Sequence, residues 1–464
     1  MKTGISLFAF AFAATVLFPA CRDDDPAEWE TEVTDLFESG SMGEAVQTGK
    51  TSWDFFLADD NNNPDLPDSW RCWWFVKMDR APVNLTHTIT LKNSGWPYFY
   101  VPVFSGDGVA WEHFPEDEVN QDISGDLTLQ AEFSQPSVWM ARIYPYTFTD
   151  LEHYLETLRG NPFVDLQSVG ASQEGRPVYL LKITDPSVPV GEKKRVFLHA
   201  RTHPAETSPS FLLEGLIAFV LSDSDEAREM RAGIEFYIFP MQNVDGVVAG
   251  NYRSTPRSEN LEVLWCFQAD NPLALSGDVP VEVALVHEKA RALMTDGGPP
   301  VSLALNLHAS NSEPDIRTFF FPHFGPASRG YNLAESSLWE KQVRFIRLFA
   351  GHAGEGRVEP LPEEGGSSFA AKTYPESWWW ANFHDEVMAM TLELTYGRAG
   401  YAPRWIEPDD YREQGKCLAL TIRDYYTDSS IPVATGLKSG RASRLAHLKF
   451  PERYPPDDPG EMKE

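Results

Sequence analysis

From about residue 147 the chain alternates short, wholly apolar runs with amphipathic stretches, and that alternation constrains the fold more than any other feature. The runs are "VYLLKIT", "RVFLHA", "IEFYIFPM", "VSLALNLHA" and "VMAMTLELTYG". Helical spacing lies between them, as in Phe211, Leu212, Gly215, Leu216 and Phe219 after Ser208. Further helices are expected from an N-cap at Thr149 or Asp150, over 283–294 within a long insertion at 265–300, through 345–350, and near 411–425. Strands separated by helices build an α/β domain around a central sheet, placed at 147–430. The preceding segment, 51–146, differs in kind. Its short apolar-aromatic runs, "WRCWWFVKM", "HTITLKN", "YFYVPVF" and "VWMARIY", are parted by Asn, Asp, Pro and Gly, which reads as a small all-β sandwich domain.

The ends bound where the protein works. Lys2, an apolar run over 5–17 and then "FPAC" follow the charged, apolar and small-residue order of an export signal. The run is too short to span a bilayer, which takes about twenty apolar residues. Residues 1–21 resemble a bacterial lipoprotein signal with Cys21 as the lipid-bearing residue, and the "RDDD" that follows resembles export signals of surface lipoproteins. The resemblance implies an exported, outer-membrane lipoprotein, periplasmic or surface-exposed, that would touch the membrane only through its lipid. Residues 22–50 are polar and read as a tether, and 431–464 as a loose tail. A net charge of −29 argues against nucleic acid as a partner, since phosphate binding needs clustered Lys and Arg. Cys72, Cys266 and Cys417 are too few for a disulfide framework and include no C-x-x-C pair for a thiolate metal site.

The chemistry collects where apolar runs stop. His203 and Glu206 follow "RVFLHA", His308 closes "LALNLHAS", and Glu393 lies in "MAMTLELTYG". An open α/β sheet gathers such strand ends at one crevice, where ligands bind. Two imidazoles and a carboxylate make a catalytic zinc site with one position left for water, and a further carboxylate nearby can take that water's proton. Each residue also has a plainer use: a histidine after a strand is commonly structural, and Glu393 on an edge strand would face solvent. "HEKAR" at His287 begins like another zinc motif but has Arg291 at the second ligand position, and no G-x-S-x-G, P-loop or dinucleotide fingerprint occurs. "SWWWANF" reads as core or a pocket wall.

"ARTHPAETSPSFLLEGL", "FPMQNVDGVVAGNYRS", "LNLHAS" and "TLELTYG", in that order, resemble the motifs of the M14 zinc carboxypeptidases, in particular the cytosolic carboxypeptidase-like branch. The β-domain ending in "IYPYTFTDLEHYL" resembles that branch too. The resemblance implies a carboxypeptidase-like mixed sheet with flanking helices and one zinc per chain on His203, Glu206 and His308. It implies Glu393 as general base and then acid, and Arg253 as the cation that polarises the scissile carbonyl. The family then usually continues D-L-N-R-x-W, whose Asn and Arg grip a terminal carboxylate. Here the run is "ENLEVLW", with Asn260 for the Asp, Glu262 for the Asn and Val263 for the Arg. A carboxylate and an isopropyl group cannot make that grip. Arg257, Arg317 or Arg398 are possible substitutes, Glu262 is a candidate receiver of a substrate amine, and Asn251 and Tyr374 are further candidate substrate contacts. The expected function is a zinc metallopeptidase acting on a peptide or peptide-like amide, with exopeptidase specificity in question. The alternatives are an amidohydrolase on small acylated amino acids and a zinc-containing peptide-binding lipoprotein without turnover.

Overall fold

The computed structural model describes residues 30–268, 270–310, 313–361, 365–366 and 373–427. The expected signal with Cys21, the first part of the tether and the tail at 431–464 lie outside the described residues. Ten strands form the N-terminal domain: β1 (Glu32–Thr34), β2 (Glu44–Gly49), β3 (Ser52–Phe56), β4 (Phe75–Asp79), β5 (Thr86–Lys92), β6 (Val103–Ser105), β7 (Glu112–His113), β8 (Val119–Gln121), β9 (Leu127–Glu132) and β10 (Val138–Ala141). They make two five-stranded sheets, ordered β1-β4-β10-β6-β7 and β2-β3-β5-β9-β8. Alternation sets the faces. Phe55, Val76, Met78, Ile89, Leu91, Leu129 and Met140 fill the space between the sheets. Phe75, Val103 and Ala141 point the other way and join the core of the second domain. The first sheet is therefore packed on both faces.

The tether expected over 22–50 is corrected here, because β1 and β2 already pair into the sheets. Both are edge strands, and "EAVQTG" buries no residue fully, so it lacks the apolar signature of a strand.

The second domain opens with α1 (Phe148–Leu158). Its N-cap is Thr147, two residues before the expected Thr149 and three before Asp150, because Thr147 and Asp150 satisfy each other's backbone N–H in a capping box. Then come β11 (Val164–Ala171), β12 (Pro177–Ile183), β13 (Lys194–Ala200), α2 (Ser208–Val220), α3 (Asp225–Gly233), β14 (Ile234–Phe239), α4 (Val244–Ala249), α5 (Val281–Thr295), β15 (Val301–Ala309), β16 (Phe319–Phe321), α6 (Leu333–Ala353), α7 (Pro375–Phe383), β17 (Met388–Leu394) and α8 (Pro408–Thr427). The seven-stranded sheet runs β11-β12-β14-β13-β15-β17-β16. Its centre, β14-β13-β15-β17, is parallel, and the outer pairs are antiparallel. Every residue of β14 and β17 is buried, as continuous apolar runs covered on both faces should be. On one face α2 and α8 pack closely at Gly215 and Gly415; a Cβ on either would meet a backbone oxygen of the other helix at 1.9 Å. Glu393 lies between β15 and β16, not on a solvent-facing edge. No helix among the described residues is long and apolar enough to cross a membrane.

Candidate metal centre

The turn after β13 is fixed before any ion is considered. Arg201 adopts a left-handed backbone, φ 58°, and its buried guanidinium donates to the carbonyls of Pro204 and Tyr146 and to the Ser210 hydroxyl. Those bonds hold residues 201–207 in a compact loop that leads into α2. His203 and Glu206 project from it, both buried. From the neighbouring strand end, His308 on β15 meets them. The Nδ1 of His203 lies 2.7 Å from one oxygen of Glu206, and the Nδ1 of His308 lies 2.8 Å from the other. All three ligand atoms fall within 4.8 Å of one another.

This donor set fits a zinc ion: two imidazole nitrogens and a carboxylate converge, and an oxygen stands at the far nitrogen of each ring. Asn260 Oδ1 is 3.2 Å from His203 Nε2, and Glu262 Oε2 is 3.3 Å from His308 Nε2. Electrostatics agree. Burial alone would raise the Glu206 carboxyl, but His203 and His308 outweigh it and hold it well below the ordinary range. Burial and then the nearby charge of Arg253 push His203 down, leaving the neutral imidazole that ligates metal. Burial acts the same way on His308, but there the Glu206 and Glu262 carboxylates prevail and raise it.

Glu393 is the register partner of His308 on the adjacent parallel strand and is 3% exposed. Paired residues on neighbouring strands share a face, so its carboxylate belongs to the same crevice. Arg253 is buried and close enough to His203 to depress its basicity. The sequence resemblance gave Arg253 a role, but its support comes from the other domain and was not foreseen. Asp60, in a short 3-10 turn of the β-domain, accepts from the backbone N–H of Tyr252 (2.6 Å), Arg253 (2.9 Å) and Ser254 (2.8 Å) and from the Ser254 hydroxyl (2.9 Å). One buried carboxylate thus shapes the loop that presents the guanidinium. Replacing Asp60 with Asn is expected to lower kcat about ten- to a hundredfold through misplacement of Arg253, with KM within about twofold and zinc content unchanged. Steady-state kinetics with metal analysis check this, and a raised KM at unchanged kcat would contradict it.

Two expectations are corrected. Asn251 is not a substrate contact: its amide donates to Asn61 and to the carbonyls of Ser254 and Thr255, tying the same loop together. Glu262 is not open to a substrate amine from solvent. Its two oxygens accept from Asn306 Nδ2 at 3.0 and 3.1 Å and one also faces His308, because the 3-10 turn Leu261–Val263 directs it inward beneath the metal seat. Burial would raise it, yet His308, His203 and Asn306 bring it down to about 2. Val263 is half-buried, and Tyr374, the N-cap of α7, is placed beside this turn by the bond from Trp265 N–H to Thr373 O. Arg398 is committed to Glu116 and Asp315 and does not replace the lost grip.

The zinc carboxypeptidase family model, Peptidase_M14, matches residues 151–270, and that family is zinc dependent. Cytosolic carboxypeptidase 2 of Homo sapiens is 41% identical over 141 residues, 29% of this chain and 16% of that protein. Cytosolic carboxypeptidase 6 of Mus musculus is 29% identical over 271 residues, 54% of this chain and 49% of it. The chain therefore spans less than half the length of either relative. Among solved structures, a metallo-carboxypeptidase from Burkholderia cenocepacia shares the fold with TM-score 0.70 at 20% identity, over 86% of this chain and 99% of that one.

Proposed function

We propose that this chain, whose residues 151–270 carry a zinc carboxypeptidase domain, hydrolyses an amide bond of a peptide or peptide-like substrate with one zinc ion held by His203, Glu206 and His308. The observation that carries the reading is the convergence of these three ligand atoms on a buried point, with Glu393 in register beside His308. A zinc ion there supplies Lewis acidity toward a carbonyl oxygen and toward water. The protein's own groups do the rest. Glu393 takes the proton from the attacking water and returns it to the departing amine nitrogen, a role that suits a carboxylate in a water-poor crevice. Arg253 offers a fixed cation to the oxygen on which negative charge develops, preorganised by Asp60. Asn260 and Glu262 orient the two imidazoles through their far nitrogens.

The reading departs from a C-terminal exopeptidase at one place. Where the family motif has its carboxylate-binding pair, this chain turns Glu262 inward to Asn306 and His308 and has an apolar Val263. A terminal carboxylate gains nothing from either. Peptides with free and with amidated C-termini, together with cell-wall stem peptides, should show kcat/KM for free and blocked ends within about tenfold of each other, a difference below about 1.4 kcal/mol. A large preference for the free terminus would contradict the loss of the grip and leave the metal chemistry standing. Glu393 favours turnover over mere binding, since a binding protein needs no base beside its metal.

A further inference from the structure

Beyond Glu393 the chain leaves β17 in a closed loop, 397–406, and the β-domain grips it. The backbone first turns against Pro314: a Cβ on Gly397 would meet the Pro314 carbonyl oxygen at 2.1 Å, and the Arg398 N–H donates to the same oxygen at 2.9 Å. The neck is tied by the bond from Ile406 N–H to Gly397 O at 3.1 Å. One carboxylate of the β-domain then holds both limbs. Glu116, in a 3-10 turn between β7 and β8, accepts from the Arg398 guanidinium through one oxygen and from the Trp405 indole N–H through the other, the latter at 2.9 Å. Trp405 itself is buried in the core of the β-domain, its ring centroid 6.1 Å from those of Phe99 and His113, and His113 Nε2 lies 3.2 Å from Ile406 O.

The residue that this loop aims is Tyr396. Thr395 before it is fixed within the catalytic domain, where its hydroxyl donates to Ile316 O at 2.6 Å and its carbonyl accepts from the Tyr411 hydroxyl at 2.8 Å. Gly397 after it is pressed on Pro314. Between these two fixed points the Tyr396 ring is half-buried and lines a narrow cleft at the domain seam, whose other wall includes Tyr98, Tyr100 and Arg142 of the β-domain. Burial raises the phenol first and the Glu206 charge second, with Tyr252, the neighbour of Arg253, next. The ring therefore stands near both a metal ligand and the loop that presents the guanidinium. Its hydroxyl bonds to none of the described residues, whereas Tyr146 donates to Glu214 and Tyr411 to Thr395 O. A phenol left unbonded by the protein, at the edge of the crevice and on an anchored loop, is placed to bond a substrate.

We propose that Tyr396 is a substrate-contacting residue whose hydroxyl donates to a backbone carbonyl of the bound peptide, and that Glu116 and Trp405 are the positioning residues through which the β-domain fixes it. The inference rests on the hydrolase reading of the metal site and adds a contact that the two domains build together. The β-domain then has two grips with different consequences. Asp60 shapes the loop of Arg253, which acts on the developing negative charge and so governs kcat, whereas the Glu116 grip serves binding and governs KM. Glu116 and Arg398 are both partly exposed, so their ion pair adds little to stability and its removal leaves the fold intact.

The test uses the zinc-loaded full chain and the peptide it cleaves fastest among those with free termini, amidated termini and cell-wall stem sequences. Tyr396→Phe, which keeps the ring and removes only the hydroxyl, should raise KM about three- to tenfold with kcat within about twofold and zinc content unchanged. Glu116→Ala should raise KM in the same direction. In the Tyr396→Phe background it should add less than about twofold, because the grip acts through the hydroxyl already removed. Should Glu116→Ala lower the melting temperature, Trp405→Phe, which keeps a buried ring and drops the indole N–H, reads the same coupling. An unchanged KM in Tyr396→Phe, a fall in kcat in its place, or a Glu116→Ala effect that multiplies in full with that of Tyr396→Phe overturns the proposal. The two readings fail differently: turnover with KM unmoved by Tyr396→Phe removes the contact and keeps the hydrolase, whereas zinc-loaded protein that cleaves no peptide removes the hydrolase reading and the contact with it.

Discussion

Replacing His308 with alanine should leave the protein without stoichiometric zinc and lower kcat/KM by at least about a thousandfold, since a Lewis acid at the carbonyl contributes several kcal/mol of barrier lowering. His308 supplies one of three protein ligands, and the two that remain, His203 and Glu206, are already hydrogen-bonded to each other. Metal analysis by mass spectrometry and a peptide-hydrolysis assay read the two effects separately. Near-normal zinc content in the variant would contradict the ligand assignment. Zinc uptake should also weaken as pH falls. In the metal-free protein burial pushes the His308 imidazole down, but Glu206 and Glu262 outweigh it, so the ring holds its proton above the ordinary histidine range. That proton must leave before Nδ1 can ligate, and zinc competes with it less well in acid. The linkage for the metal-free fold has the opposite sign. The paired, protonated His308 stabilises the fold below the unfolded pKa, and that contribution is lost as pH rises through the higher folded value.

Replacing Glu393 with glutamine should act on turnover alone. Loss of a general base costs about 10²–10⁴ in kcat, and glutamine preserves the shape of the side chain while removing its capacity to accept a proton. Zinc content and thermal stability should stay close to those of the parent, because Glu393 is not among the three converging ligand atoms. The acid limb of the pH–rate profile should disappear with the carboxylate. Activity within tenfold of the parent would show that another group takes the water's proton, and would remove the mechanistic role given to the β17 strand end.

What the sequence made legible was the set of residues whose position follows from local pattern. His203, Glu206, His308 and Glu393 each stand where an apolar strand ends, and parallel packing of β13, β15 and β17 turns that into proximity. The β-domain was readable from its alternation, yet β1 and β2 were not, because edge strands need bury little and their polar composition looks like a linker. Glu262 was read as facing substrate because the 3-10 turn that directs it inward leaves no mark in "ENLEVLW". Asp60 was harder still. Its partners are 192 to 194 residues away in the other domain, and "ADDNNNP" carries only the composition of a turn.

The proposed hydrolysis depends on one zinc ion between His203, Glu206 and His308. Crystals of the zinc-saturated protein, with diffraction recorded on both sides of the zinc absorption edge, test it directly. One strong anomalous peak per chain is expected, about 2.0–2.1 Å from the Nδ1 atoms of His203 and His308 and at bonding distance from the Glu206 carboxylate. A peak elsewhere, or none at this point in a crystal that contains zinc, would contradict it.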